Sequence, residues 1–290
     1  MTCGNTGYVP GQAAACPGAG IPKENTPASI KALRDTRLLV FDLDGTLLAK
    51  DKSITPRTME SLAACRRRGI MIAFATGRTW KDAAPVLDLL EPDAAALSYG
   101  AHVMVRGRTV FRRFMSQSVA TGLLCRIRDA ARISWQLENG DDRQFSAEDG
   151  VTCPVFSLNA GGRVDHVYAW GLPWQTARNA AKDCGCALTQ LVGSAWCSFG
   201  PRGTGKKPGT ALVMRSLSVS RGQAVGFGDE SCDIGIFRAC GNGVAMGNAD
   251  EETLRGCGSC DSVQQLRWDR IVPGKIYPVA GRYKLEVYII

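Results

Sequence analysis

Leu38-Leu39-Val40-Phe41-Asp42-Leu43-Asp44-Gly45-Thr46-Leu47 decides how this chain is read. An apolar run of β-forming residues closed by a glycine reads as a buried strand that ends in two carboxylates. In open α/β sheets, ligands bind in the crevice beyond the carboxyl ends of the strands. Asp42 and Asp44 alternate with Leu43, so both carboxylates can turn toward that crevice as the strand runs out. Gly45 lets the chain turn away, and Thr46 leaves a hydroxyl beside the turn. Two close carboxylates repel and are costly to bury without a compensating cation or proton. A hard cation held by oxygen ligands, Mg²⁺ above all, would compensate them. The competing reading is a plain strand followed by an Asp-Gly turn, so the flanking sequence has to decide.

Downstream, Thr55 and Pro56 form an N-cap and first-turn pair, and Met59, Leu62, Ala63 and Arg66 follow helical spacing up to Gly69. Ile70–Ala75 is a second buried strand that runs into Thr76-Gly77-Arg78, with Thr79 and Asp82 placed to cap the next helix. A strand–helix–strand succession implies parallel neighbours, so Thr76 should emerge at the same sheet edge as Asp42. A hydroxyl and backbone N–H groups at a helix start suit phosphate oxygens. Ala94–Leu97 reads as a third strand, leading into Ser98-Tyr99-Gly100-Ala101. Gln223–Phe227 is another strand, ending in Gly228-Asp229-Glu230-Ser231-Cys232-Asp233, which adds acidic groups at that edge.

Between about 112 and 196 the texture changes to an α+β insert. Helices are expected over Ser116–Arg132, with Val119, Leu123, Ile127 and Ala130 on one face, and over Trp174–Cys184. Short strands are expected at Ile133–Leu137, Val155–Leu158, Val164–Ala169, Ala187–Val192 and Ala195–Phe199. The fold class is therefore α/β, a Rossmann-like parallel sheet core carrying an inserted α+β cap domain. The expected division is a mobile Gly- and Pro-rich leader over 1–34, a core over 35–111 and 197–290, and a cap over 112–196.

Gly200-Pro201-Arg202-Gly203-Thr204-Gly205-Lys206-Lys207 nearly matches a P-loop, but Lys207 replaces the hydroxyl that should reach a metal. A P-loop also leaves the Asp and Thr motifs unexplained. Taken together, Asp42-Leu43-Asp44-Gly45-Thr46, Ala75-Thr76-Gly77-Arg78, Lys207-Pro208-Gly209-Thr210-Ala211-Leu212 and Gly228-Asp229-Glu230-Ser231-Cys232-Asp233 resemble the haloacid dehalogenase superfamily, in its Cof-like branch with an α/β cap. The resemblance covers about 38–260. It implies Mg²⁺-dependent hydrolysis of a small phosphomonoester, a sugar phosphate by family analogy. Asp42 would be the nucleophile and Asp44 the general acid/base. Thr46, Thr76, Gly77 and Arg78 would hold phosphate oxygens, and Asp42, Asp44, Asp229 and Asp233 would serve the metal. The motif lysine is Lys206 or Lys207. Counting from the preceding strand favours Lys206, Pro208 at the helix start favours Lys207, and Lys207 is narrowly preferred.

Two positions depart from the family pattern, Tyr99 and Cys232, both where Asn is usual. The first bears on substrate choice, and the second can cost about 10–100-fold in metal affinity or activity. A sugar phosphomutase of the same superfamily and a non-catalytic phosphate-ligand module are the alternative readings.

At 290 residues the chain has room for roughly two domains. No run of about 18 apolar residues marks a membrane span, and the N-terminus lacks a basic start and an apolar segment, so a cytoplasmic address is expected. Twelve cysteines with only two histidines, His102 and His166, read as reduced thiols rather than a zinc site. The net charge of +8 is spread without aromatic interleaving, so neither a nucleic-acid nor a membrane partner is expected. A positive field does help collect phosphorylated small molecules, while oligomeric state leaves no trace in the sequence.

Overall fold

Leu38–Phe41 forms β1, and all four residues are buried, as expected of a strand covered on both faces. The computed structural model describes residues 35–130, 132–137, 142–146, 163–190, 195–257, 263–272 and 275–278. β1 pairs in parallel with β2 (Met71–Ala75) on one side and with β11 (Ala224–Gly228) on the other. Between them α1 (Pro56–Arg67) and α2 (Trp80–Leu90) begin at the expected caps. The Thr55 hydroxyl accepts from the Thr58 N–H, and the Thr79 hydroxyl accepts from the Asp82 N–H. β3 (Ala94–Leu97) continues the parallel set, and a hairpin of β4 (His102–Val105) and β5 (Arg108–Arg112) closes that edge antiparallel.

The insert follows as α3 (Gln117–Arg126), β6 (Arg132–Leu137), β7 (Asp142–Ser146), β8 (Val164–Trp170), α4 (Trp174–Cys184), β9 (Ala187–Gln190) and β10 (Trp196–Gly200). The chain then returns through α5 (Lys206–Ser216), β11, α6 (Ile234–Cys240), β12 (Gly241–Met246), α7 (Glu251–Cys257), β13 (Val263–Val272) and β14 (Lys275–Pro278). The first sheet has the order β14-β13-β12-β11-β1-β2-β3-β4-β5, and the second β7-β6-β8-β10-β9.

Strand alternation sorts the core onto two faces. Leu39, Phe41 and Phe74 pack with Leu62 of α1 and Val86 and Leu90 of α2. Leu38, Val40 and Ala73 pack with Val213 of α5 and Ile236 and Phe237 of α6. Phe41 stacks on Phe227 across the β1–β11 pair at 4.6 Å, and burying such a ring stabilises the fold by about 1.5–3 kcal/mol. In the insert, α3 and α4 cover one face of the second sheet, where Leu123, Ala177 and Ala181 meet Ile133, Trp135, Val167 and Phe199.

Two expectations about the elements need correction. The helix from Ser116 ends at Arg126, because Ile127 caps it at φ −107° and the Ala130 N–H bonds Ile127 O in a turn. Ile127 and Ala130 are still buried, so their spacing reported burial rather than helix. Trp196–Gly200 pairs with β8 and β9, so the insert runs past position 196. The β4–β5 hairpin had no counterpart in the sequence reading. The leader over 1–34, the strand at Val155–Leu158 and positions 279–290 lie outside the described residues.

Candidate active site

Asp42 leaves the end of β1 with its N–H on Phe227 O at 3.0 Å and its carboxylate buried. Lys206, the first residue of α5, places Nζ 2.6 Å from Asp42 Oδ1 and 2.5 Å from Asp233 Oδ1. This corrects the preference for Lys207, whose exposed side chain borders the cavity instead. Gly205 is the N-cap, so Pro208 sits within the first turn, where proline costs no hydrogen bond. Pro208 therefore does not mark the helix start.

Asp42, Asp229 and Asp233 bring one carboxylate oxygen each within 4.8 Å of one another. Asp233 Oδ2 accepts from the N–H groups of Asp229 and Glu230, both at 3.0 Å. Thr46 Oγ1 donates to Asp229 Oδ1 at 2.7 Å, so its proton serves the acidic cluster rather than a phosphate oxygen. Asn248, in a turn that also fits the family pattern but was given no site role, donates to Asp229 Oδ2 at 2.9 Å and to Gly45 O at 3.1 Å. A polar residue just beyond the end of β12 was the available signal. Gly45 is required here: at φ +80°, a Cβ would lie 2.1 Å from Asp229 Oδ2.

Burial pushes the Asp42 carboxyl well above its usual range, against the pull of Lys206, and Asp233 adds to the rise. Burial also lifts Asp229 to about 6, although the Thr46 hydrogen bond opposes it. The Lys206 ammonium is destabilised by burial, but Asp233 and Asp42 outweigh that and raise it well above 10.5. Three buried carboxylates lie close together, with the one ammonium of Lys206 on Asp42 and Asp233. A hard divalent cation on Asp42, Asp229 and Asp233 fits that donor set.

The Asp44 carboxylate stands apart from the Asp42, Asp229 and Asp233 group. Its oxygens accept from Arg78 Nε at 2.8 Å and Nη2 at 2.7 Å, and from Lys52 Nζ at 2.6 Å. Burial alone would raise its pKa, but the Arg78 and Lys52 hydrogen bonds hold it below the usual value. Lys52, in a polar loop, carried no sequence signal for this role.

Thr76 ends β2 fully buried, and its Oγ1 accepts from the Arg78 N–H at 3.1 Å. Its carbonyl accepts from the Tyr99 N–H at 3.0 Å, which ties the second motif to the end of β3. Tyr99 adopts a left-handed conformation (φ 48°, ψ 42°), a region that Asn enters more readily than bulky residues. Its ring lies on Gly77, where a Cβ would sit 2.5 Å from Tyr99 Cζ.

A cavity of about 660 Å³ adjoins the chemistry, while one of about 750 Å³ lies away from it beside Trp80 and Leu87. The walls of the first include Tyr99, Lys206 and Cys232 from the core and Trp174 and Thr189 from the insert. Where insert and core meet, buried Asp165 of β8 accepts from Ser98 Oγ at 2.9 Å and Arg112 Nη2 at 3.0 Å.

With this geometry in place, likeness to known proteins becomes informative. A family profile described as haloacid dehalogenase-like hydrolase matches residues 39–154 and 189–257. The chain belongs to that family. An HMP-PP phosphatase of Shigella flexneri serotype 5b (strain 8401) is 28% identical over 235 residues, covering 73% of this chain and 85% of that protein. The HMP-PP phosphatase of Escherichia coli O6:H1 is 27% identical over the same span. Among solved structures, the subclass IIB sugar phosphatase BT4131 superposes with a TM-score of 0.66 at 20% identity, covering 79% of this chain and 94% of its own. The phosphatase BT1666 from Bacteroides thetaiotaomicron gives 0.66 at 21% identity, with 79% and 90% covered. Those structural likenesses carry the fold, and the Cof-like reading of the motifs stands with them. The chain is a phosphatase of this family.

Proposed function

We propose that this phosphatase is Mg²⁺-dependent and cleaves a small phosphomonoester through an aspartyl-phosphate on Asp42. The observation that carries the reading is the buried chain Asp42–Lys206–Asp233, set where Thr76 and Asp229 also end their strands. An Asp42 oxygen attacks phosphorus, the P–O ester bond breaks, and Asp44 delivers its proton to the leaving oxygen. Asp44 then takes a proton from water, whose oxygen attacks the same phosphorus and frees Asp42 and inorganic phosphate. Asp44 starts ionised in its pairs with Arg78 and Lys52. An incoming phosphate dianion competes for Arg78, which lets Asp44 leave those pairs and take a proton from solvent before the first step. The proton it later takes from the attacking water restores that acid form.

Lys206 supplies fixed positive charge against the phosphoryl oxygens, while Thr76, Gly77 and Arg78 offer hydrogen bonds to one of them. A bound Mg²⁺ on Asp42, Asp229 and Asp233 would add charge stabilisation at the same oxygens. The insert acts as the cap that reads the leaving group and excludes water. Family analogy proposes a sugar there, and relatives that act on HMP-PP keep a second class in play. We place the reaction in the cytoplasm, where thiols stay reduced; among the described residues no disulfide forms.

Asp42→Asn should fold as the parent does and lose turnover by a factor on the order of 10⁴ or more. Chelation should silence the parent, and Mg²⁺ should restore it. Parent-like turnover in folded Asp42→Asn sinks the nucleophile, and full activity after exhaustive chelation sinks the metal.

A further inference from the structure

Ser98, Tyr99 and Gly100, which follow β3, turn left-handed in succession at φ 48°, 48° and 77°. Glycine enters that region freely, but serine and tyrosine are strained there and persist only where their surroundings hold them. This turn meets the site on two sides. On the first, the Ser98 N–H donates to Arg78 O at 2.8 Å and the Tyr99 N–H donates to Thr76 O at 3.0 Å, so its backbone carries the 76–78 segment. On the second, a Cβ on Gly100 would lie 2.5 Å from Gly205 O and 3.0 Å from Gly209 Cα. The turn therefore packs directly on the start of α5, which presents Lys206.

The side chain that grips the turn comes from the insert. Asp165 of β8 is buried, and its Oδ2 accepts from the Ser98 hydroxyl and from Arg112 of β5. Its Oδ1 lies 3.4 Å from His166 Nδ1. Burial alone would raise the Asp165 pKa, yet the His166 hydrogen bond, the Arg112 charge and the Ser98 hydroxyl hold it below the usual value. Ser98 thus donates to an ionised acceptor, and such bonds are roughly twice as strong as neutral ones. β8 is fixed in turn where the chain re-enters the core. The His166 ring fills the space at Gly200, where a Cβ would lie 2.4 Å from its Nε2. The Tyr99 ring meets His166 at 5.7 Å, the first contact in a row of rings that continues to Tyr168 at 6.2 Å.

We propose that Asp165 of the insert is a positioning residue for the reaction, pinning the strained Ser98–Gly100 turn and through it setting Thr76 and Arg78 against Lys206. The insert thereby builds part of the phosphate site as well as covering it. This rests on the hydrolase reading for its chemistry, but the role lies in phosphate binding, which is measured without turnover. The test uses the full chain and its Asp165→Ala, Asp165→Asn and Ser98→Ala variants. Calorimetry measures the binding of inorganic phosphate in the presence of Mg²⁺, and thermal unfolding checks the fold. Steady-state assays compare acetyl phosphate with glucose 6-phosphate.

Asp165→Ala should weaken phosphate binding by about tenfold or more and lower kcat/KM for both esters by the same factor, because the displaced groups hold the phosphoryl end. Ser98→Ala should do likewise, since it removes the donor and leaves Asp165 with Arg112 and His166. The double alanine variant should be no worse than either single one. Asp165→Asn keeps an oxygen for the Ser98 hydroxyl and should recover most of the phosphate affinity. A lowered melting temperature with parent phosphate affinity in the folded alanine variants marks a merely structural role and overturns the proposal. Ser98→Ala decides alone if Asp165→Ala does not fold. A loss confined to glucose 6-phosphate also overturns it, because Asp165 would then serve the leaving group. A parent that binds phosphate and hydrolyses neither ester, with binding weakened in both alanine variants, keeps the positioning role and removes the hydrolase reading.

Discussion

The edge of the parallel sheet and the inner face of the second sheet border one crevice with opposite means. At the ends of β1 and β11, Asp42, Asp229, Asp233 and Lys206 are buried together, with their charges in direct contact. Across β8 and β10 the second sheet instead carries a row of rings and one buried hydroxyl, Ser198. Buried charge raises the cost of any misplacement, so the first region is held by long-range hydrogen bonds from Thr46 and Asn248 and by the local bond from the Glu230 N–H. Rings tolerate small shifts, because stacking has a broad optimum. Charge is thus concentrated where geometry is tightest, and the rings occupy the more forgiving surface.

The sharpest break of this contrast uses the two adjacent lysines. Lys206→Met should lower kcat by about 10²–10³-fold, the usual cost of losing one charged transition-state contact. Lys207→Met, at the cavity rim, should change kcat less than about threefold, its effect falling on KM. Equal losses in steady-state assays of the two variants would mean that the charged region extends beyond the buried cluster.

A smaller effect is expected where the two regions touch. A methyl group on Gly77 would press on the Tyr99 ring, the first in the row. Gly77→Ala should destabilise the fold by about 1–3 kcal/mol in thermal unfolding and raise KM as Tyr99 shifts. An unchanged melting temperature with unchanged KM would show that Tyr99 can move without consequence for either region.

The smallest effect lies in the β4–β5 hairpin. Burial, with Arg112 nearby, lowers the His102 pKa from 6.5 to about 4. The unfolded chain then binds a proton that the folded chain refuses, so this contribution to stability is full above pH 6.5 and fades as pH falls toward about 4. His102→Gln keeps a polar atom for Thr109, the Nε2 partner at 2.9 Å, and should flatten the stability curve between about pH 7 and about pH 4.5. Parallel parent and variant curves in denaturant titrations would place the acid sensitivity in the carboxylate cluster instead.

By itself the sequence determined the strands, caps and turns that carry the motifs, because those signals are local. Thr55, Thr79 and the Trp174–Cys184 helix stand where pattern and capping chemistry place them. It also determined that Asp42, Thr76 and Asp229 share an edge, since right-handed crossovers leave few other arrangements. Only the tertiary structure decided which of those groups touch. Lys206 meets Asp42 across 164 positions and Thr46 meets Asp229 across 183, and spacing along the chain says nothing about contacts at that separation. Pro208 pointed to Lys207, yet one residue of helix rotates a side chain by about 100°, enough to exchange the buried lysine for the exposed one. The pairing of Asp44 with Arg78 and Lys52, and the ring row that begins at Tyr99, arise from separate elements converging on one crevice, which packing alone brings together.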